Sequence, residues 1–316
     1  MIDGFQRQIS YLRVSVTDLC NLRCRYCMPE CGVDKKDHRQ ILSIEEITEI
    51  VEAAASLGVK KVRITGGEPL VRKGILSLCQ QISAIDGIEE VAMTSNGLLL
   101  KEMAEPLAKA GLQRINISLD TLKADKFQQM ARSGSLEEVL SGIEAAKEAG
   151  LTPIKINTVL IGGFNEDEIA DLAQLTMEEE LEVRFIELMP LGPAANFQDG
   201  SFLPCEKVLQ VLPELKACGN SGVAKLYQLP GAKGKIGLIT PISHDFCDSC
   251  DKIRLTSDGK IKPCLHSDSE ILIRGYHGEE LVQKLAEAIG QKPQQHPEFL
   301  EGQASASGRS MNQIGG

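Results

Sequence analysis

Cys20, Cys24 and Cys27 stand within eight residues in the spacing C-x3-C-x2-C, directly after a strand-like run over 11–17. Three thiolates this close can grip one face of a metal cluster. A cubane iron–sulfur cluster normally takes four Cys ligands, so three leave one iron open to a small molecule. A zinc site completed by Cys31 or His38 is the rival reading, but C-x3-C-x2-C fits paired-knuckle zinc geometry less well.

A second group, Cys247, Cys250 and Cys264, has the spacing C-x2-C-x13-C, with His266 two residues on. Cluster and structural Cys3His zinc both fit that pattern. The run Thr65-Gly66-Gly67-Glu68-Pro69 follows a second strand-like stretch. Paired glycines let backbone approach a ligand closely, and carbonyls there can accept from an ammonium group; a tight turn is the plain alternative. Cys31, Cys79, Cys205 and Cys218 have no ligand spacing, and Cys79 reads as a small buried apolar residue.

The elements that must position these groups alternate through the first two thirds of the chain. Strand-like runs cover 11–17, 60–65, 89–95, 114–120, 153–161 and 182–188, each short and mostly apolar or β-branched, as strands buried on both faces are. Amphipathic helices lie between them. Ser43 with Glu46, Ser135 with Glu138 and Asn165 with Glu168 each read as an N-terminal capping box, and Pro106 predicts a late start or kink in its helix. Strands each followed by a helix imply a parallel sheet with right-handed crossovers. Eight such units close a barrel and six leave it open. The fold class expected is α/β, an incomplete (β/α)6 TIM-type barrel, with reactive groups on the loops after the strands.

The pattern breaks over 191–200, rich in Gly, Pro, Ala and Asn. We therefore expect a barrel over 1–200 and a C-terminal α+β extension over 201–316 that carries the second cysteine group. Within it, 225–229, 235–240 and 253–263 read as strands, the last with a turn at Asp258-Gly259. A helix is expected over 279–289 and a loose tail from Gln291 nearly to the end.

Composition narrows the class. The 316 residues are 42% hydrophobic, enough for one large core or two modest ones. Neither a signal peptide nor an apolar run long enough to span a membrane is present, so a soluble, cytoplasmic protein is expected, with no membrane partner. In that setting ten cysteines point to metal or redox chemistry rather than disulfides. Lys+Arg 34 against Asp+Glu 44 gives −10, which argues against long nucleic acid but not against a small phosphate held by locally gathered cations.

The first triad with Tyr26, followed by Gly66-Gly67-Glu68-Pro69, resembles the radical S-adenosylmethionine (SAM) superfamily. Further stretches bring the resemblance closer to the GTP 3′,8-cyclases of molybdenum cofactor biosynthesis. These are Leu12-Arg13-Val14-Ser15-Val16-Thr17-Asp18, Met93-Thr94-Ser95-Asn96-Gly97, Asn116-Ile117-Ser118-Leu119-Asp120, Lys155-Ile156-Asn157-Thr158, Glu187-Leu188-Met189-Pro190, the second triad and the terminal Gly315-Gly316.

The resemblance implies a lyase with two [4Fe–4S] clusters, held by Cys20, Cys24, Cys27 and by Cys247, Cys250, Cys264. It implies reductive cleavage of SAM to a 5′-deoxyadenosyl radical, removal of the C3′ hydrogen of GTP, and closure onto C8 to give (8S)-3′,8-cyclo-7,8-dihydroguanosine 5′-triphosphate. Carried over by position, Tyr26, Gly67, Ser118 and Met189 meet SAM. Arg13, Arg63, Thr94, Lys155, Lys252, Ile253 and Arg254 meet GTP. The partners implied are a low-potential electron donor and, as the next enzyme, cyclic pyranopterin monophosphate synthase; a homodimer is left open. One departure stands out, since the family usually has Asn-Arg where this chain has Asp251-Lys252. Lysine keeps the charge but loses the guanidinium fork. Two alternatives are a peptide-modifying radical SAM enzyme, which usually has more C-terminal cysteines, and a zinc-stabilised binding module.

Overall fold

A computed structural model describes residues 1–197, 201–297 and 304–315. Six strands, β1 (Tyr11–Ser15), β2 (Lys61–Thr65), β3 (Glu90–Ser95), β4 (Arg114–Ser118), β5 (Lys155–Leu160) and β6 (Glu182–Glu187), lie side by side in chain order, all parallel. They correspond to the six expected runs.

The strands are not apolar on both faces, as the sequence reading had them. Leu12, Val14, Val62, Ile64, Ile115, Ile117, Ile156, Val183 and Phe185 are fully buried in the core. The intervening positions, Tyr11, Arg13, Lys61, Arg63, Arg114, Asn116, Lys155, Asn157 and Arg184, line a cavity instead. Period-two alternation puts apolar side chains outward under the helices and polar ones inward.

The C-terminal part extends this sheet at both edges. Its strands are β7 (Lys216–Ser221), β8 (Ala224–Gln228), β9 (Lys235–Ile239), β10 (Lys252–Leu255), β11 (Lys260–Lys262) and β12 (Ile271–Leu272). β9 pairs parallel with β6, and β10 pairs parallel with β1. The order is therefore β12-β11-β10-β1-β2-β3-β4-β5-β6-β9-β8-β7, with antiparallel pairs at each margin. The expected Asp258-Gly259 turn joins β10 to β11, and Gly259 takes a φ of 85° there. β7 and β12 had no legible strand pattern; β7 is almost wholly exposed and polar.

Among the helices, Ile44–Ser56 and Leu136–Glu148 begin at the predicted capping boxes of Ser43 and Ser135. The third box does not form. Asn165 instead accepts from Ile161 N and donates to Asp120 O and Val159 O, while buried Glu168 accepts from Thr121 Oγ1 and Leu122 N. Those side chains tie the loop after β4 to the loop after β5, so they are unavailable to cap. Leu100–Lys109 contains Pro106 within one helix. The expected C-terminal helix spans Gly278–Gly290. No helix among the described residues is long and apolar enough to cross a membrane.

Candidate active site

The loop after β1 carries Cys20, Cys24 and Cys27, and it turns back on itself through Cys27 N to Cys24 O at 2.9 Å. The Gly66-Gly67 pair lies flat against this loop. A Cβ on Gly66 would sit 2.5 Å from Thr17 O, and one on Gly67 would fall inside Leu19 O. Gly67 N and Glu68 N donate to those same two carbonyls. The glycines are thus required first for loop against loop, and only through that for any ligand. Glu68, buried under the pair, accepts from Asn96 N, Ser95 Oγ and Leu70 N; burial lifts its carboxyl to about 7 against those bonds. Asn96 in turn donates to Asn21 Oδ1 at 2.7 Å and to Cys20 Sγ at 3.7 Å.

All three thiols are free of disulfides. Burial pushes Cys20 up to about 11 and Cys27 up to about 12, and it lifts Cys24 well above its ordinary value, with Cys27, Asp120 and Cys20 adding to it. Three thiols that resist ionisation chiefly because they are buried, and in part because they stand together, are a donor set that a positively charged metal centre would hold as thiolates. The residues fit a three-thiolate cluster. Tyr26 donates to Asp120 Oδ2 at 2.9 Å, so it is anchored beside the triad, and Ser118 ends β4 close by in sequence to that same Asp120.

The second triad borders a cavity of about 550 Å³ inside the sheet. Cys247, Cys250 and Cys264 line it together with Arg13, Arg63, Lys155, Met189, Lys252 and Arg254. Nine sequence-predicted residues therefore meet in one space. Thr94 joins them through Arg63, whose guanidinium reaches Thr94 Oγ1 at 3.4 Å. Ile253 differs: its side chain is fully buried in the hydrophobic core, on the opposite face from Lys252 and Arg254.

The register explains the charge. Arg254 pairs with Arg13, Arg13 with Arg63, Arg63 with Ala92 and Ala92 with Arg114. Four arginines thus occupy one row across five strands, facing the cavity. Like charges directly opposite one another destabilise a sheet. Burial and then the charges of Arg254, Arg63 and Arg184 pull Arg13 well below its ordinary value. Such a row is an arrangement that a polyanion would relieve. Arg13 and Arg63 sit in mid-strand and Lys155 opens β5, so the cations belong to the wall of the barrel, not to the loops after its strands as the sequence reading supposed.

Sequence reasoning missed Tyr11, Lys61, Arg114, Asn157 and Arg184, which line the same cavity. The signal was parity: Tyr11-x-Arg13, Lys61-x-Arg63, Asn116-x-Ser118 and Lys252-x-Arg254 each place polar residues two apart on strands whose other positions are apolar. Arg63 Nε donates to the Tyr11 hydroxyl. Among the described residues Asn116 Oδ1 and Asn157 Oδ1 are buried without a hydrogen-bond partner, two acceptors in the cavity wall that a ligand's donors could meet. The Asp251-Lys252 departure has a direct consequence, because Lys252 Nζ lies 2.6 Å from Asp251 Oδ1.

The chain's end enters the site. Met311–Ile314 forms a short helix, and Arg254 donates to Gly315 O at 2.6 Å. The Asn312 backbone N–H donates to Cys27 Sγ, and its side chain donates to Asp18 O. One short segment thus touches the first triad and an arginine whose ionisation senses Cys250 and Cys264. Gly316, expected with Gly315 at this end, lies outside the described residues. The tail expected to be loose is tied down at 292–294, through Lys292, Pro293 and Gln294, and again at Ser305. His266, the fourth ligand in the zinc alternative, meets Ser305 Oγ at 3.1 Å and packs edge-on against His296.

Two family models match the chain, the Radical SAM superfamily over 14–176 and Molybdenum Cofactor Synthesis C over 181–298. A GTP 3′,8-cyclase of Alkaliphilus oremlandii is 51% identical over the whole of both chains, as is one of Alkaliphilus metalliredigens. Among solved structures, Streptococcus suis SuiB bound to its precursor peptide SuiA matches with a TM-score of 0.66 at 16% identity, covering 91% of this chain and 66% of that one. That likeness is of fold alone.

Proposed function

This chain belongs to the radical SAM superfamily and, within it, to the GTP 3′,8-cyclases, and from that premise we propose how its residues share the work. It is a lyase that cyclises GTP in the first step of molybdenum cofactor biosynthesis. When bound, the iron–sulfur centres and SAM supply reductive SAM cleavage, hydrogen abstraction at C3′ and an open iron for the purine.

In our reading Cys20, Cys24 and Cys27 hold the SAM-binding cluster and Cys247, Cys250 and Cys264 a second one. Tyr26, Gly67, Ser118 and Met189 surround SAM. Arg13, Arg63, Lys155, Lys252 and Arg254 grip the triphosphate, with Thr94 orienting Arg63 and Ile253 setting the spacing between Lys252 and Arg254. The observation that carries this is the row of arginines facing a cavity bordered by three thiols. It suits a ligand with several negative charges at one end and a base at the other. The 311–315 segment closes over the first triad and limits water there. The division is placed at residue 200, with the barrel over 1–200 and the second cluster on 201–316. A flavodoxin- or ferredoxin-type donor, transfer of product to cyclic pyranopterin monophosphate synthase, a homodimer and a cytoplasmic location complete the proposal.

The test uses GTP deuterated at C3′, incubated anaerobically with reconstituted enzyme, SAM and reductant. The 5′-deoxyadenosine formed is expected to carry the deuterium. Unlabelled 5′-deoxyadenosine alongside cyclised product would contradict the placement of C3′ beside SAM.

A further inference from the structure

Lys292 follows the Gly278–Gly290 helix and is 3% exposed. Its Nζ donates to Lys252 O at 2.8 Å and to Pro263 O at 2.9 Å. Those carbonyls belong to residues two beyond Cys250 and one before Cys264, so a single ammonium joins the two chain segments that deliver these thiols. The ammonium also bonds the Cys250 thiol. That bond and one from the Lys252 backbone N–H both reach Cys250 Sγ.

The residues that follow continue round the triad. The His296 backbone N–H donates to Cys247 Sγ. Arg7, itself held by Asp3, donates to Cys247 O, Pro293 O and Gln294 O at 2.7–2.9 Å. The segment from Lys292 to His296 therefore clasps all three thiols of the second triad, directly or through neighbouring backbone. No carboxylate pairs with Lys292 among the described residues. A buried ammonium with only carbonyls and a thiol for company is unfavourable unless an anion stands beside it.

We propose that Lys292 is the positioning residue of the second cluster: it clamps the Cys250 and Cys264 segments together and places a buried positive charge against the cluster. This rests on the reading that Cys247, Cys250 and Cys264 hold a [4Fe–4S] centre. A cluster on three thiolates is anionic and gains one more negative charge on reduction. A fixed cation and an N–H···S bond stabilise the reduced form and raise the reduction potential. At the first triad Arg23 donates to Cys20 O and Leu22 O, but among the described residues the bonds that its thiols themselves receive come from the neutral donors Leu22 N, Asn96 and Asn312 N.

The test compares wild type, Lys292→Met and Lys292→Arg after anaerobic reconstitution. It reads iron and sulfide per chain and follows an EPR-monitored redox titration of the signal that GTP perturbs. Lys292→Met is expected either to drop from about eight irons to about four, or to keep both clusters with the second at least tenfold harder to reduce, about 59 mV for one electron. Lys292→Arg should lie closer to wild type in either measure, and the SAM-perturbed signal should be unchanged in both variants. Wild-type iron content and potential in Lys292→Met would overturn the proposal. So would equal loss in Lys292→Arg, which would exclude a role for charge, or loss of both clusters together, which would mark general misfolding. Wild type holding only about four irons would instead defeat the two-cluster reading.

Discussion

Replacing Gly315 by alanine tests how the chain's end is seated. Gly315 has φ 75° and ψ 110°, a region that a residue with a Cβ occupies at a cost of about 1–3 kcal/mol. The added methyl would also fall inside the Thr65 hydroxyl, and Thr65 is 1% exposed on β2 with no room to retreat. The tail must then shift, which loosens the Arg254 bond to Gly315 O, a charged donor worth about 1.5–3 kcal/mol. Taking the low end of both, docking weakens by at least about 2.5 kcal/mol, a factor on the order of 60 in the docked population. Amide hydrogen exchange over 311–315 reads this directly, and GTP cyclisation at saturating SAM should fall with it. Thr65→Ala in the same chain removes the hydroxyl and should recover part of the protection. A tail in Gly315→Ala as protected as in wild type, or no recovery in the double variant, would refute the steric reasoning.

Two other residues give sharp expectations. Asp251 holds Lys252 at 2.6 Å, so Asp251→Asn should free that ammonium and tighten GTP binding by about 1 kcal/mol at low salt, the gain shrinking as salt rises; unchanged or weaker binding by equilibrium dialysis counts against it. Burial, then the Arg184 charge, brings Lys155 down to about 8 despite Glu182. Its cation is present below that pH and lost above it, so GTP affinity should decline as pH rises through about 8, and Lys155→Arg should flatten the profile. A wild-type affinity flat from pH 7 to about 9.5 would remove Lys155 from the phosphate site.

Much of the framework was legible because local chemistry and fold agree. The six βα units, two of three capping boxes and the Asp258-Gly259 turn depend on neighbours within a few residues. What escaped depends on distant partners. Asn165 and Glu168 have the letters of a capping box, but Asp120 and Thr121, brought near by the sheet, compete for those side chains. β9 and β10 read as strands of a separate extension, and nothing local says that they continue the barrel at β6 and β1. The cysteine triads announced themselves by spacing, whereas nothing local singled out Lys61, Arg114 and Arg184, which strand parity and register put on the inner wall. Lys292 was further still from recognition, since its importance comes entirely from two carbonyls and a thiol remote in sequence.

The separate tasks proposed for the two triads are tested most directly by Cys247→Ser. With SAM, GTP and reductant under anaerobic conditions, 5′-deoxyadenosine and cyclised GTP are measured in the same reaction. The variant is expected to keep most reductive SAM cleavage and to form no cyclised product. Cyclisation at the wild-type rate would contradict the role given to the second triad, and loss of SAM cleavage in step with cyclisation would contradict the separation itself.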